Sequence, residues 1–535
     1  MAGPVFLQVI TPFFLGVILH LGLFIRGEWH LSASSIFLAH VFVFTLVLAK
    51  QLVSAFATWY GVTLPILAYL CGLSVSMGVY RLYFHRLRSF PGPRLAALSK
   101  LWHVWLSRDS RSYLVLESWR KQYGTFVRTG PSEVTIFHPA GLEWLDGPSS
   151  RNGRTDWYDL LYPSVQVFSR DPAVQASRRK VWDRALSLSP LKQYYKRIIP
   201  HVLKLESVIN TQKDKPIVVN DLLYQNTFDV LSDIGYGLTD IESNHGASVI
   251  GDSLSILGPT TPSPWLLRIA FALFPRVWRI PRWFMFLEFN MSIVEKRMKN
   301  KPESVDITSF FIEDSQRKDA DKTSFEAIYG DSGVVLLAGS TTGPTLILVL
   351  YCLARWPENA EKIRQELRSV DYNDMTALSA LPHLTGTINE SLRLYPAGPT
   401  FGSRQTPPEG LDCDGVHIPG DVKVIAPRYS LGRLEEAYEA PHDFIPERWY
   451  SKPELIKDKR AFAPFSMGRN SCAGKKIAMS QMRLTIAILL SKYSISFAPG
   501  NSDKHLVEKD MRDQMTPLPG DLELVFKELE TPIYT

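Results

Sequence analysis

The chain is poor in cysteine and in unbalanced charge. Four cysteines among 535 residues are too few for a disulfide scaffold. With 45% hydrophobic and 21% charged residues, it is neither disordered nor collagenous nor a small module. Internal repeats, low-complexity tracts and long Gly/Ser linkers are missing from the globular part, so one large domain is more economical there than several. The net charge is +6, which raises the question of an acidic partner such as a nucleic acid. Its distribution answers no: residues 1–94 hold six basic residues and one acid, net +5, whereas residues 95–535 hold 53 basic and 52 acidic, net +1. No nucleic-acid partner is expected.

Charge is scarcest at the start, where residues 1–80 contain only Arg26, Glu28 and Lys50. A transmembrane helix needs ~20 mainly apolar residues. Three stretches qualify, at about 5–25, 34–57 and 64–84, with Lys50 a blemish in the second. Residues 1–88 are therefore expected to form a membrane region of two or three transmembrane helices. A cleaved signal peptide is disfavoured, because no basic residue precedes the first run and the run is too long. Arg81, Arg86 and Arg88 follow the last run with no acid among them, which places the chain from residue 85 onward in the cytosol. Three spans then put the N-terminus in the lumen, although Lys50 near a lumenal turn argues against this, and two spans invert it. Phe90-Pro91-Gly92-Pro93-Arg94 reads as a stiff hinge over 89–94, followed by a domain over 95–535.

In that domain, apolar spacing at i, i+3, i+4 predicts helices over 111–123, 172–186, 192–210, 223–235, 328–355, 358–369, 383–394 and 475–494. Short β-like runs occur at Thr125–Arg128, Val134–Phe137, Val422–Ile425, Tyr493–Phe497 and Glu523–Lys527. The class is mainly α with small β-sheets. Residues 254–291 gather Trp265, Phe271, Phe274, Trp278, Trp283, Phe284, Phe286 and Phe289 among several prolines, either as core or as a membrane-dipping surface.

Near the C-terminus, Phe465-Ser466-Met467-Gly468-Arg469-Asn470-Ser471-Cys472-Ala473-Gly474-Lys475-Lys476 leads into an amphipathic helical pattern. A cysteine between glycines and just ahead of a helix has a specific use. The helix N-terminus favours its thiolate, and glycines admit backbone close to something flat and large. Such a thiolate can ligate haem iron. Cys71, Cys352 and Cys413 read as buried small hydrophobes. Upstream, Ala338-Gly339-Ser340-Thr341-Thr342 lies in the long apolar helix, where small residues would let a flat cofactor lie against the backbone. Glu390 and Arg393, three apart, share a helix face.

The cysteine segment resembles the haem-binding loop of the cytochrome P450 superfamily, F-x-x-G-x-R-x-C-x-G, at Phe465, Gly468, Cys472 and Gly474. One position departs: the arginine usual two residues before the cysteine is Asn470, with Arg469 one residue earlier. Residues 338–342 resemble the oxygen-binding groove A-G-x-(D/E)-T-(T/S), with Thr341 in the acid slot and Gly343 in the last, followed by Pro344, which interrupts a helix. Glu390, Arg393 and Arg448 resemble a buried structural cluster of the family, and Tyr123-Gly124 through Pro139 its first sheet. From about Phe90 onward the chain is similar to fungal microsomal members, many of which serve secondary metabolism.

The resemblance implies the cytochrome P450 fold and a haem b whose axial iron ligand is Cys472. It also implies haem contacts from Phe465, Gly468, Arg469 and Gly474, propionate contacts from Arg404 and from Arg178 or Arg179, and haem packing by Ala338 and Gly339. Proton delivery falls to Thr342, aided by Thr341. The implied activity is insertion of one atom of dioxygen into a lipophilic small molecule such as a terpenoid, polyketide or alkaloid. The 149–172 loop and the 254–291 segment occupy the family's substrate-contacting regions. Electrons are expected from NADPH through a cytochrome P450 reductase, with cytochrome b5 as a further donor and Lys475 and Lys476 as docking cations. The expected location is the endoplasmic reticulum membrane, with the catalytic domain in the cytosol. The departures at 341 and 470 leave two alternatives: a haem-thiolate isomerase or dehydratase that needs no dioxygen, and a non-catalytic haem- or lipid-binding membrane protein.

Overall fold

A computed structural model describes residues 2–53, 59–160, 165–300, 302–317, 322–499 and 506–534. Three apolar helices open the chain: α1 (Ala2–Leu19), continued by a π-helical turn His20–Phe24, α2 (Ala33–Val53), and α3 (Trp59–Val79), continued by a π-helical turn Tyr80–Phe84. Each is long and apolar enough to cross a membrane. The third begins five residues before its expected start, and residues 54–57 of the expected second span lie outside the described residues. α1 and α3 pack backbone to backbone: a Cβ on Gly16 would collide with the Tyr69 carbonyl, and one on Gly72 with the Phe13 carbonyl. Small residues at such a crossing are what permit close helix packing in lipid.

Hydrogen bonds at two places tie these helices to the rest of the chain. At the α3 end, the Pro91 carbonyl accepts from the Arg128 amide at 2.7 Å, Arg128 Nη1 donates to the Arg81 carbonyl at 2.9 Å, and a Cβ on Gly92 would strike the Arg128 carbonyl. The proline-glycine segment thus lies strapped along a strand. At the turn between α1 and α2, buried His30 bonds Asp159 through Nε2 at 2.8 Å, and Glu28 grips Arg170 with both oxygens, at 2.6 and 3.0 Å.

The longer elements that follow build the site. A five-stranded sheet contains β1 (Phe126–Gly130), β2 (Glu133–Ile136), β3 (Gly153–Arg154), β5 (Arg404–Gln405) and β6 (Lys423–Ile425), in the spatial order β1-β2-β6-β5-β3. Only β2 and β6 run parallel; the other neighbours are antiparallel. A three-stranded sheet sets β8 (Glu523–Glu528) between β4 (Pro216–Val218) and β7 (Tyr493–Phe497).

Around them stand α4 (Pro172–Ala185), α5 (Leu188–Thr211), α6 (Val219–Tyr236), α7 (Pro264–Leu273), α8 (Ile280–Lys299), α9 (Lys322–Gly339), α10 (Thr342–Arg355), α11 (Pro382–Leu394) and α12 (Lys475–Lys492). Asp171 caps α4, its carboxylate accepting from the Ala173 amide at 2.8 Å, with Pro172 in the first turn. The core is formed chiefly by α10, α11 and α12, in which Thr342–Ala354 are buried without a gap. That burial explains why Phe325–Arg355 reads as apolar as a membrane span: it crosses the middle of the protein.

The single helix expected over 328–355 is broken at Ser340–Thr341. Pro344 has no amide to offer the Ser340 carbonyl. Hydroxyls take up the slack, Ser340 Oγ donating to the Leu337 carbonyl, Thr341 Oγ1 to Ala338 and Thr345 Oγ1 to Thr341, each at 2.8 Å. The aromatic segment divides between its two readings. Trp283 and Phe286 are core, whereas Trp265, Phe274 and Trp278 are exposed, and α7 packs against α2.

Candidate active site

The cysteine loop is shaped before its helix begins. Ser466 and Gly468 both have φ of 56°, and a Cβ on Gly468 would strike the Asp146 carbonyl, so only glycine fits there. The Cys472 amide closes the loop on the Phe465 carbonyl at 2.7 Å. Backbone amides of Gly474 and Lys475, at the start of α12, bond the sulfur. Burial nevertheless pushes the thiol up, and those amides and the charge of Arg179 do not cancel it. The helix terminus favours the thiolate, as its place in the sequence suggests, and desolvation opposes it. A metal cation on the sulfur would complete the balance, because coordination deprotonates a thiol outright.

Cys472 is solvent-accessible despite this desolvation, so it lines an internal space. Ala338 is likewise exposed in the midst of buried Val334, Val335 and Leu336 on α9. A Cβ on Gly339 would collide with the Leu231 side chain on α6, so its bare face serves helix packing. Thr342 is buried on the first turn of α10. Thr341, in the acid slot, turns its hydroxyl back onto its own helix.

Neighbouring residues of α4 reach in two directions. Arg178 is buried against α9, with Nε on Asp331 and Nη1 on Asp314 at 2.8 Å. Two of its guanidinium nitrogens are thus held by carboxylates, while its buried Nη2 has no partner. Arg179 instead donates to the Ser471 carbonyl at 2.6 Å, next to Cys472. Gln175 adds bonds to the Arg469 carbonyl and to Asn470 Oδ1, at 3.4 and 3.3 Å.

The sheet supplies the rest. Arg404 is buried and forked onto Asp146, with Nε on Oδ1 at 2.5 Å and Nη2 on Oδ2 at 3.1 Å, and donates to the Tyr158 hydroxyl at 2.8 Å. Asp146 also accepts from Ser466 Oγ at 2.8 Å and Asn470 Nδ2 at 2.9 Å. Arg469 reaches the Asn152 carbonyl. Directly across the strand pair from Arg404 lies Arg154, also buried. It donates to the Val167 carbonyl at 2.7 Å and to Asn470 Oδ1 at 3.2 Å, while its Nε has no partner. Burial, Arg404 and Arg469 pull its pKa down to about 10. Asp146 and Arg154 carried no motif, and nothing local in the sequence marks them.

Glu390, Arg393 and Arg448 meet in the core, all of them buried. Arg393 forks onto the carboxylate at 3.0 and 2.8 Å and Arg448 Nε reaches it at 2.9 Å, with the Ile445 amide and Trp449 Nε1 each at 3.0 Å. The remaining guanidinium nitrogens donate to carbonyls of Pro441, Asp443, Glu439 and Leu455.

A family model described as cytochrome P450 matches residues 95–524. The chain belongs to the cytochrome P450 family. It is 35% identical over 92% of its length to the cytochrome P450 monooxygenase notG' of Aspergillus versicolor, covering 93% of that protein. It is 33% identical over 97% to the monooxygenase FCK2 of Fusarium pseudograminearum, covering 97% of it. With tryprostatin B 6-hydroxylase of Aspergillus fumigatus it shares 32% over 92%, covering 91%. Among solved structures, retinoic acid bound cyanobacterial CYP120A1 shares the fold, with a TM-score of 0.65 at 20% identity over 77% of this chain and 93% of that one. This P450 is thus an oxidoreductase of the monooxygenase type, and the family implies haem iron.

The residues present fit that group. A reachable sulfur bonded by two amides suits an iron ligand. Two buried guanidinium groups share Asp146 as their nearest carboxylate, and one of them has an unpartnered Nε. A cofactor bearing carboxylates would satisfy them.

Proposed function

We propose that this P450 is a membrane-anchored monooxygenase that hydroxylates a lipophilic secondary metabolite, with Cys472 as the haem ligand. The observation that carries it is the Cys472 sulfur, accessible from an internal space and held by the Gly474 and Lys475 amides. When bound, haem supplies dioxygen activation, fed by two electrons from NADPH through a flavoprotein reductase or cytochrome b5. The protein's tasks are to bind, orient and move protons. Arg404, Arg154 and Arg469 would hold the carboxylates of the haem, and Phe465, Gly468 and Gly474 shape the loop that presents the sulfur. Ala338 would pack against the haem, and the Thr342 hydroxyl, at the break between α9 and α10, would hold a proton donor for the reaction. Thr341 keeps its hydroxyl on the Ala338 carbonyl, so Thr342 carries this alone. Lys475 and Lys476, exposed at the start of α12, face the reductase.

The contacts at both helix turns support a three-span arrangement. Glu28 and His30 touch the catalytic domain after α1, and Arg81 touches it after α3, which supports a reading with both of those turns on the cytosolic side and the N-terminus in the lumen of the endoplasmic reticulum. The Pro91–Pro93 strap joins the membrane region to the catalytic domain. The hydroxylase names among the relatives favour hydroxylation over the dioxygen-independent and non-catalytic alternatives. The test is the absorbance of the reduced, carbon monoxide-bound protein. The thiolate-ligated band is expected in the wild type and absent from Cys472→Ala; its persistence in that variant would overturn the assignment. Strict dependence of product on NADPH and dioxygen is expected alongside.

A further inference from the structure

We propose that the turn between the first two membrane helices is a positioning element of the substrate cavity, acting through Glu28 and His30 on Asp159 and Arg170. One guanidinium gathers the parts. Arg170 holds both oxygens of Glu28, donates to Asp159 Oδ2 at 2.8 Å and to Gln405 Oε1 at 3.1 Å, and its Nε reaches the Arg154 carbonyl at 3.1 Å. His30, itself buried, holds the same Asp159 oxygen. From the other side Arg268 of α7 donates to the Asp159 carbonyl, and α7 leans on α2.

Asp159 belongs to the 3-10 turn Asp156–Leu160. Asp156 and Trp157 of that turn line a cavity together with Thr400, Phe401, Asp513 and Met515. A two-point fork between carboxylate and guanidinium fixes angle as well as distance. The membrane turn therefore sets where the Asp156–Leu160 wall stands. An exposed single pair would carry little weight, but this one is joined to a buried histidine, a second carboxylate and two strands. The membrane region, on this reading, does more than anchor the enzyme: it braces the wall that Asp156 and Trp157 give to this cavity.

The test uses the full-length, haem-loaded protein in lipid nanodiscs and rests on the haem-thiolate reading above for its optical arm. Two nitrogen ligands of haem iron serve as probes: imidazole, small enough to ignore the cavity wall, and clotrimazole, bulky enough to need it. Glu28→Gln and His30→Ala are expected to weaken clotrimazole by about fivefold to tenfold, leave imidazole within about twofold, and speed amide hydrogen exchange over residues 153–160. Glu28→Asp is expected to restore most of the clotrimazole affinity. Unchanged clotrimazole binding overturns the proposal even if exchange speeds up. Equal loss for both probes with falling haem content also overturns it, because that marks general destabilisation. Should the wild type give no azole spectrum, the haem reading fails, and the exchange measurement alone decides whether the turn holds the wall.

Discussion

Arg154 and Arg404 stand directly opposite one another across the β3–β5 pair, two buried guanidinium groups with Asp146 bonded to the second alone. Like charges facing across an antiparallel pair destabilise it. Among the described residues no carboxylate pairs with Arg154, which instead reaches Asn470, the position where the family's usual arginine is missing. The pair is poised for an anion and strained without one. Arg154→Leu is therefore expected to speed haem transfer to apomyoglobin about tenfold, a loss of ~1.4 kcal/mol. The haem-free protein should melt no earlier than wild type. Adding Asn470→Arg to that variant should slow haem loss again, since it returns a guanidinium to the same place.

The Glu390 carboxylate is the counter-charge of two fully buried arginines. Removing one partner of a buried ion cluster costs about 3–5 kcal/mol, because the others stay buried and unpaired. Glu390→Gln should leave the protein without a cooperative urea transition or with one shifted by that amount. Lys362→Gln, which breaks a half-exposed pair with Glu447, should change it by under ~1 kcal/mol.

Thr342 sits where the α9–α10 break opens, and Thr341 is turned onto its own helix. Thr342→Ala is expected to divert electrons from product to hydrogen peroxide. The ratio of peroxide to NADPH should rise severalfold with the carbon monoxide spectrum unchanged. Thr341→Ala should leave that ratio near wild type. An unchanged ratio in Thr342→Ala would remove it from proton delivery.

Which of these features the sequence displays follows from distance along the chain. The three N-terminal apolar helices, long enough to cross a membrane, show in composition alone, and Cys472 with its glycines lies within one ten-residue motif. Glu390 and Arg393 are three residues apart on one helix face. Arg154 and Asn470, by contrast, are 316 residues apart, and Asp146 and Arg404 are 258 apart; no local pattern joins them. Gly339 shows a second limit. Its smallness is legible, but helical spacing does not say which neighbour comes close, and here Leu231 does. The same holds for Arg178, whose charge is plain but whose partners are set by how α4 meets α9, which carries Asp331, and the helix Ile307–Ser315, which carries Asp314.

His383 yields a prediction about acid. It is buried on α11, bonded to the Tyr450 hydroxyl at 2.9 Å and to Asn359 Oδ1 at 3.1 Å, and burial lowers its pKa to about 4, the Glu447 charge notwithstanding. The unfolded chain, with an ordinary histidine near 6.5, binds the proton first. Stability from this site is thus complete above pH ~6.5 and is lost as pH falls toward ~4, by up to about 3 kcal/mol. Melting temperatures measured across that window should decline less steeply in His383→Gln, which keeps the polar contacts but cannot charge. Parallel curves for the two proteins would mean that the acid loss arises elsewhere.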